Sequence, residues 1–424
     1  MERPERGVEP EPTPALIRQA AERLQGVAER TPLLRSPILS ERYGVEVFLK
    51  AECLQRTGSF KVRGAYARIL GLSEEERRRG VVAASAGNHA QGVAFAAAAL
   101  GIPATIVMPV DAPITKRSAT ERYGARVVLY GESFDEAFAW AVQVAESSGA
   151  TLIHAFDDPW VIAGQGTVGL EIAEEMPDVD TVLVPVGGGG LASGVALALK
   201  ASNPSIRVIG VQSAAVPAAY DALRRRRAAT ETGKAPEQAD APRRGHAPTL
   251  ADGLAVKRPS ERTLSILERL LDDIVLVGEE EIARAILHYL ERERLVVEGA
   301  GAVTLAALAG QERLRAGARR VVLVVSGGNI DVNRIARIID RGLYEEGRVA
   351  RWSALLDDRP GALERFLHVV AEAGANVLDV VHDRIDARIP VGRTRVTVTL
   401  ELRDAAHGTE VESRLTAAGY DLQG

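Results

Sequence analysis

A repeating pattern that begins at Val81 constrains the fold of this chain more than any other feature. A short apolar run is followed by a turn of glycine or polar residues and then by a segment with helical spacing, as at 133–147 and 191–201. Strands that alternate with helices need crossover connections, which favour mostly parallel sheets. We therefore predict an α/β body. Its candidate strands are residues 81–84, 104–108, 126–130, 152–154, 181–186, 207–212 and 319–325.

Two segments depart from this pattern. Residues 1–14 are charged and proline-rich without an apolar core, so we predict a disordered N-terminus and no signal peptide. Residues 224–248 carry runs of arginine among Pro, Gly, Glu and Asp and have few large apolar side chains. Such a segment buries too little surface to order itself, which predicts a flexible insertion. A basic patch for a polyanion is the alternative interpretation.

A second change of pattern falls near residues 342–350. Beyond it the chain is typical of a strand at 351–356, a helix at 361–373, strands at 376–384 and 394–402, and a helix at 409–418. This βαββα series, which lacks only a clear last strand, favours a small α+β sandwich of one antiparallel sheet under two helices. We assign it to a separate C-terminal domain at 349–424, after the α/β body at 15–342.

Charge, cysteine content and hydropathy exclude several classes of protein. The chain has 52 Lys and Arg residues against 57 Asp and Glu, a formal net charge of −5, so it lacks the electrostatic footprint of a nucleic-acid-binding protein. Cys53 is the single cysteine, which rules out an intramolecular disulfide and favours a reducing compartment. No stretch approaches the roughly 18 consecutive apolar residues of a membrane span. We predict a cytoplasmic protein.

Four consecutive glycines stand between a predicted strand and a predicted helix. Without side chains, the backbone amides of such a turn can close on an anion, and the helix N-terminus favours the same charge. The alternative is a flexible turn. The spacing differs from the GxGxxG pattern of a dinucleotide site. We predict a phosphate site, made of Gly187, Gly188, Gly189, Gly190 and Leu191.

Two further turns follow predicted strands. Ser85 and Asn88 lie in the turn SAGNHAQG at the carboxyl end of a strand, where open α/β sheets bind ligands. The alternative is a capped helix start, with one of these two residues as the N-cap. Ser326 opens the third turn, SGGN, for which the alternative is again a simple strand-ending turn.

Lys61 is the candidate nucleophile. A lone lysine is normally a surface charge, but this one lies between Phe60 and Val62 with glycines on either side, which favours partial burial. Burial lowers the pKa of an amine and makes it a usable nucleophile or base.

Taken together and in order, these segments resemble the fold-type-II pyridoxal-phosphate family, and most closely its threonine dehydratases. The similar segments span nearly the whole chain: RTPLLRSPILSE, LKAECLQRTGSFKVRGA, ASAGNHAQGVA, PVGGGGL, ADGLAV, EGAGA and SGGN. The resemblance implies a two-subdomain catalytic body like that of the tryptophan synthase β-subunit, with a smaller subdomain at about 64–157. It also implies pyridoxal 5'-phosphate as the cofactor.

The resemblance assigns roles around the cofactor. Lys61 is the lysine that forms the Schiff base, and Phe60 lies against the cofactor ring. Asn88 bonds the phenolic oxygen, the amides of 187–191 cradle the phosphate, and Ser326 faces the pyridine nitrogen. A serine at that place leaves the ring nitrogen largely unprotonated, which suits prompt β-elimination.

The resemblance also assigns the substrate residues. Ser85 and the amides around Gly87, Asn88 and His89 hold the substrate carboxylate, and Glu298 borders the pocket. The implied reaction is β-elimination: the cofactor makes the Cα proton of L-threonine removable, Lys61 takes it, and the products are 2-oxobutanoate and ammonia. L-serine is the expected secondary substrate, and the first step of isoleucine biosynthesis is the expected role.

Related enzymes remain as alternatives. Serine racemases carry a second serine where this chain has Ala86, which argues against racemisation. Their divalent-metal site begins with an acidic residue where this chain has Gln212, and the next carboxylate is Asp221, so we predict no metal site. A degradative serine/threonine dehydratase and a threonine synthase are the other enzymatic alternatives. An amino-acid sensor without catalysis is the alternative from a different class.

The C-terminal domain resembles an ACT domain, of ferredoxin-like βαββαβ order. Such domains commonly pair and bind an amino acid near the loop after the first strand and at the start of the second strand. The matching positions are Asp358, Gly361 and Asn376, and isoleucine or valine is the expected effector. Without the resemblance, these residues are typical of ordinary turns. The expected assembly is a homo-oligomer, either a dimer or a tetramer.

Overall fold

The computed structural model describes residues 11–232 and 248–423, and it divides into two compact units, 1–331 and 332–424. The strands are β1 (Leu33–Ser36), β2 (Glu46–Ala51), β3 (Val81–Ala84), β4 (Ala104–Met108), β5 (Arg126–Leu129), β6 (Thr151–Leu152), β7 (Thr181–Pro185), β8 (Arg207–Ser213), β9 (Asp273–Val277), β10 (Arg320–Val325), β11 (Val349–Asp357), β12 (Asn376–Asp383), β13 (Arg393–Glu401) and β14 (Leu422–Gln423).

The α-helices are α1 (Pro14–Leu24), α2 (Pro37–Tyr43), α3 (Lys61–Leu70), α4 (Glu74–Arg79), α5 (Asn88–Ala99), α6 (Ile114–Glu121), α7 (Phe134–Ser148), α8 (Pro159–Glu175), α9 (Gly190–Ser202), α10 (Ala218–Thr232), α11 (Glu261–Leu270), α12 (Glu279–His288), α13 (Gly299–Gly310), α14 (Val332–Glu345), α15 (Ala362–Glu372) and α16 (Ala405–Ala417). Short 3-10 helices occur at Glu52–Leu54, Asp252–Leu254 and Glu312–Leu314, and a π-helical turn occurs at Tyr289–Glu293.

The first unit contains two sheets. The larger has the strand order β1-β2-β10-β7-β8-β9, and every pair except β1 with β2 is parallel. The smaller has the order β5-β4-β3-β6 and is parallel throughout. The prediction of an α/β body with mostly parallel sheets is confirmed.

Each sheet has its own apolar core. In the larger one, buried valines of β7 and β10 pack with buried residues of α8 and α9, which cover the strands. In the smaller one, alanine-rich α5 packs on β3 and β4 around the fully buried Ile106 and Val93. Strands that are buried on both faces have continuous apolar sequences, and for this reason the sequence pattern predicted them clearly.

The second unit has the chain order β11-α15-β12-β13-α16-β14 and one antiparallel sheet, β12-β13-β11-β14. This is the ferredoxin-like βαββαβ arrangement that the sequence predicted. The core lies between this sheet and the two helices, around the fully buried Phe366, Val396 and Leu415. The last strand, which the sequence did not reveal, is only two residues long and pairs with β11.

The prediction of a flexible insertion at 224–248 is wrong for its first part. Helix α10 continues to Thr232, because Arg226 pairs with Glu261 and with Glu268, and Arg227 donates to the carbonyl of Leu271 at 2.7 Å. These contacts to α11 supply order that the segment's own composition does not provide. Residues 233–247 lie outside the described residues.

At the N-terminus, residues 1–10 of the predicted disordered segment lie outside the described residues. The prediction of disorder is wrong for the last two residues of that segment, Thr13 and Pro14. Helix α1 begins at Pro14, and the hydroxyl of Thr13 caps it by accepting from the amide of Leu16 at 3.2 Å. In the described part of the chain, we find no helix with the length and apolar character needed to span a bilayer.

Candidate active site

The carboxyl ends of neighbouring parallel strands bring the predicted site segments together. Strands β7 and β10 are adjacent in the larger sheet, so the glycine turn after β7 and Ser326 after β10 lie at the same edge. The loop before α3 joins them there: Ser59 forms a β-bridge with Gly327, and the amide of Phe60 donates to the carbonyl of Ser326 at 3.2 Å.

Lys61 is the first residue of α3 and is partly buried. Its Nζ donates to the backbone carbonyl of Ala155 at 2.9 Å and lies 5.2 Å from the centre of the Phe60 ring. Burial lowers the pKa of Lys61 to about 8, against the opposing negative charge of Glu298. Roughly a tenth of this amine is therefore neutral and nucleophilic at pH 7, far more than for an ordinary lysine.

The turn of four glycines is packed so closely that it leaves little room for side chains at these positions. A Cβ on Gly188 would fall 2.3 Å from the Phe156 ring, and a Cβ on Gly190 would fall 2.9 Å from Cβ of the same residue. Gly189 has a φ of +92° and precedes α9, whose N-terminus has no side-chain cap. An uncapped helix start behind a glycine turn is suited to a phosphate.

A chain of side-chain amides links the other two turns. Asn88 donates to the Glu298 carboxylate at 2.7 Å, and Asn329 donates to the side-chain oxygen of Asn88 at 2.8 Å. Asn329 also donates to the carbonyl of Thr57 at 2.8 Å, in the loop that leads to Lys61. The side chains of Asn88, Glu298 and Asn329 therefore face one another across the site.

Glu298 is buried at 5% exposure and has unusual electrostatics. Burial, and after it the negative charge of Asp252, raises the pKa of its carboxyl to about 8, while the hydrogen bond from Asn88 opposes both effects. Near pH 7 the site therefore holds a largely protonated carboxylic acid together with an amine that releases its proton more readily than an ordinary lysine, and groups shifted in this way are useful for proton transfer.

The turn after β3 is not the capped helix start that the sequence offered as an alternative. The hydroxyl of Ser85 accepts from the amide of Gly87 at 3.1 Å, and α5 begins at Asn88 after Gly87 without a side-chain cap. Neither Ser85 nor Asn88 is therefore an N-cap. Both side chains are partly exposed at the carboxyl end of the smaller sheet.

The side chain of His89 points away from the turn into the core. It is buried at 3% exposure, with Nε2 2.9 Å from the carbonyl of Ile153, while Nδ1 has no hydrogen-bond partner. Burial lowers its pKa to about 3, and the positive charge of Lys61 adds to this effect. A neutral, buried ring leaves only the backbone of His89 for a ligand.

The sequence did not reveal several residues that shape the site. Ala155 accepts from Lys61, Phe156 packs on the glycine turn, and the hydroxyl of Thr263 donates to the carbonyl of Gly188 at 2.8 Å. The glycines in the sequence indicated close packing at the turn, but only the fold shows which residues pack there.

Cys53 lies in the 3-10 helix Glu52–Leu54, beside Gly328. It is mostly buried, and burial raises its thiol pKa to about 12.

Gln212, which stands where serine racemases begin their divalent-metal site, makes a different contact here. Gln212, buried near the end of β8, accepts from the amide of Tyr220 at 2.9 Å, and its Nε2 has no partner. Across residues 11–232 and 248–423 there is no group of three or more His, Cys, Asp or Glu side chains placed to hold a metal ion.

The second unit has a cavity of about 270 Å³ beside the loop after β11. It is lined by Leu356, Asp357, Asp358, Arg359, Pro360, Gly361, Ala362, Leu363, His382, Arg384 and Thr394. Asp358 pairs with Arg384 at 3.1 Å, and Gly361 has a φ of +82° just before α15. Asn376 lies at the opposite end of β12 and donates to Glu401, so one chain does not bring all three predicted effector residues together.

The geometry fits pyridoxal phosphate: a lysine with a lowered pKa, a glycine turn at a helix N-terminus and a buried serine converge at one sheet edge. The family model "Pyridoxal-phosphate dependent enzyme" matches residues 24–327. The chain therefore belongs to the pyridoxal-phosphate-dependent enzymes, of the fold-type-II class.

Two relatives match almost end to end. An L-threonine ammonia-lyase of Thermotoga maritima is 51% identical, with 96% of this chain and 98% of that protein covered. One of the same name from Geobacter sulfurreducens is 47% identical, with 96% and 97% covered. A catabolic L-threonine dehydratase of Escherichia coli is 46% identical but covers 76% of this chain and 94% of its own.

Solved structures match the same portion of the chain. A threonine deaminase from T.th. has a TM-score of 0.67 at 41% identity, covering 76% of this chain and 99% of that one. Maize serine racemase has a TM-score of 0.70 at 35% identity, covering 78% and 98%.

Proposed function

We propose that the protein is a threonine ammonia-lyase, which converts L-threonine to 2-oxobutanoate and ammonia by β-elimination and accepts L-serine as a secondary substrate. The single observation that carries the proposal is the position of the partly buried Lys61 amine. It donates a hydrogen bond to the carbonyl of Ala155, and the next residue, Phe156, packs on the glycine turn. The near full-length identity to two L-threonine ammonia-lyases supports threonine as the substrate.

In this proposal the cofactor residues are those that the sequence assigned. Lys61 holds pyridoxal phosphate, Phe60 lies against its ring and Asn88 bonds its phenolic oxygen. The amides of 187–191 hold the phosphate and Ser326 faces the ring nitrogen. When bound, the cofactor supplies the electron sink that makes the Cα proton of the substrate acidic.

The chain's own groups then bind the substrate and move protons. Ser85 and the amides of Gly87 to His89 hold the substrate carboxylate at the end of β3. Lys61 takes the Cα proton at Nζ, which its lowered pKa permits near neutrality. Glu298, protonated under the same conditions, lies within the network of Asn88 and keeps a proton near the site without adding negative charge.

Lys61→Ala tests the proposal directly. We expect the purified variant to lose the visible absorbance band of the bound cofactor and to lose 2-oxobutanoate release from L-threonine, because no other amine replaces Nζ. The matched control is Lys200→Ala, which removes a partly buried lysine of α9 paired with Asp272 at 2.8 Å and is expected to keep both. Full dehydration activity in Lys61→Ala would contradict the mechanism.

Serine racemisation is the second candidate, since maize serine racemase shares the fold at 35% identity. It requires a proton donor on the opposite face of the substrate, and this chain has Ala86 where those enzymes carry a serine. Incubation with L-serine, followed by chiral separation of the remaining amino acid, distinguishes the two reactions. We expect pyruvate and no D-serine.

We further propose that the second unit is an ACT domain that regulates a homo-oligomer, either a dimer or a tetramer, in the cytoplasm. The cavity around Asp358 and Gly361 is the proposed site for isoleucine or valine. Since Asn376 lies at the far end of β12, its participation requires a second chain. Inhibition by isoleucine supports a biosynthetic role, whereas activity indifferent to isoleucine supports the degradative role named for the Escherichia coli relative.

A further inference from the structure

A buried network of four charges surrounds Arg63, two residues after Lys61 on α3. Arg63 and Glu52 have side-chain exposures of 1% and 0%, and Lys50 and Glu171 have 0% and 12%. Two positive and two negative groups balance one another. Burying four charges is expensive, so the arrangement calls for an explanation other than simple stability.

Arg63 binds both carboxylates with two contacts each. Toward Glu52, Nε and Nη2 each donate at 2.8 Å, and toward Glu171, Nη1 and Nη2 donate at 2.5 and 3.0 Å. Further bonds reach the hydroxyl of Thr167 at 3.0 Å and the carbonyl of Glu29 at 3.1 Å. A planar guanidinium held in this way has a fixed position and a fixed orientation.

The two carboxylates belong to the elements that also position the surroundings of Lys61. Glu52 directly follows β2, the strand that pairs with β10 before Ser326. Glu171 lies on α8, whose first turn follows closely after Ala155, the acceptor for Lys61. Arg63 therefore ties the first turn of α3 to both sides of the site.

The same helices approach with almost no clearance. A Cβ on Gly164 of α8 would fall 2.5 Å from the carbonyl oxygen of Arg63, and the amide of Gly64 donates to the side chain of Gln165 at 3.2 Å. Burial alone would raise the pKa of Glu52, but the charge and hydrogen bonds of Arg63 hold it below its usual value. The Glu52 carboxylate is thus held in its ionised form by Arg63.

We propose that Arg63 is a positioning residue for the reaction: its bonds to Glu52 and Glu171 fix the first turn of α3, and so fix where the Lys61 amine lies. The proposal rests on the role of Lys61 in the proposed function. Arg63 itself touches neither substrate nor reacting atoms. Its effect reaches Lys61 through the two-residue step of helix backbone that separates them, about half a turn.

A charge-balanced pair of variants separates positioning from stability. Arg63→Met alone leaves an unpaired buried carboxylate, so both the melting temperature and kcat should fall. Arg63→Met with Glu52→Gln removes one charge of each sign and leaves the pair of Lys50 with Glu171 in place. We expect the double variant to recover much of the melting temperature, while kcat stays lower by about tenfold or more with little change in KM.

The decisive readout is visible circular dichroism of the bound cofactor in the full-length holoenzyme, because this band reports orientation and does not depend on turnover. We expect it to change in both variants. Ile69→Ala is the matched control: it destabilises the same helix from a fully buried position, and its cofactor band and kcat should match those of the wild type. A double variant whose kcat and dichroism both equal the wild type overturns the proposal.

If the double variant does not fold, Arg63→Lys replaces it. An ammonium keeps the charge but cannot bind two carboxylates in parallel, so kcat and the dichroic band should again change where those of Ile69→Ala do not. Unchanged values in Arg63→Lys overturn the proposal. A wild-type enzyme without activity on threonine would instead refute the proposed function, while the dichroism comparison would still test Arg63.

Discussion

His89 is neutral in the core, and this neutrality has a consequence for stability. Its pKa is about 3 in the folded chain against 6.5 for an ordinary histidine, so between these values the unfolded chain takes up a proton that the folded chain does not. The stabilisation is complete above pH 6.5 and is lost as the pH falls toward 3. The contribution at stake between pH 7 and pH 5 is about 2 kcal/mol.

We therefore expect His89→Gln to lose less unfolding free energy than the wild type between pH 7 and pH 5, as measured by urea denaturation. A glutamine amide can still donate to the carbonyl of Ile153 but cannot be protonated in this range. Exposed His368 supplies the control, and His368→Gln should follow the wild-type curve. Parallel curves for His89→Gln and the wild type would contradict the prediction.

At the scale of single residues, the sequence identified candidate site residues but not their tertiary contacts. Flanking glycines and apolar neighbours marked Lys61, because close packing and partial burial leave a local signature. The hydrogen bond of Lys61 to the carbonyl of Ala155 and the pairing of Arg63 with Glu171 left none, since these partners lie 94 and 108 residues apart along the chain. Tertiary contacts over such separations are not written in local patterns.

The crossing of α3 and α8 is an element-scale feature that a single substitution should disturb. An added Cβ at Gly164 would lie 2.5 Å from the carbonyl oxygen of Arg63 and 2.6 Å from Cα of Gly64, both of them backbone atoms that cannot rotate aside. We expect Gly164→Ala to lower the unfolding free energy by about 1–3 kcal/mol in chemical denaturation.

Gly278→Ala provides the matched control for this crossing. The nearest atom to its added Cβ is 3.5 Å away, on the flexible side chain of Glu281, which is ordinary contact. The loss there should be clearly smaller. Equal losses at the two positions would mean that the helices can separate freely.

The elements that the sequence predicted well are those with a strong apolar period. Buried strands such as β3 and β7 were predicted to within a residue, because their apolar runs end in glycine or polar turns. Strand β14 was missed since two residues are too few to show a pattern, and β9 since its short run follows α11 without a marked turn. Residues 224–232 of α10 were predicted to be flexible because the contacts that order them come from outside the segment, at α11 and Leu271.

At the scale of the whole molecule, the division into two compact units predicts that turnover and the response to effectors can be separated. The Escherichia coli relative and the solved structures match about three quarters of this chain, whereas the two L-threonine ammonia-lyases match nearly all of it. We expect a chain that ends at Gly347 to keep a kcat on L-threonine close to that of the full chain and to lose any response to isoleucine or valine. Steady-state kinetics with and without each amino acid check both parts.

Arg359→Ala in the full chain is the control for that truncation. It changes the lining of the C-terminal cavity but leaves the second unit in place, so it should alter the response to the effectors without altering basal turnover. A truncated enzyme that still responds to isoleucine would place the effector site in the first unit.

The buried thiol of Cys53 has a practical consequence. Thiolate, not thiol, reacts with maleimides and iodoacetamides, and a pKa near 12 leaves almost none of it at neutral pH. A cysteine introduced on the surface would react far faster, since its pKa lies near 8.5. The natural chain is therefore ready for site-specific fluorophores or spin labels on either unit, and distance changes on adding isoleucine could be followed without first removing its only native cysteine.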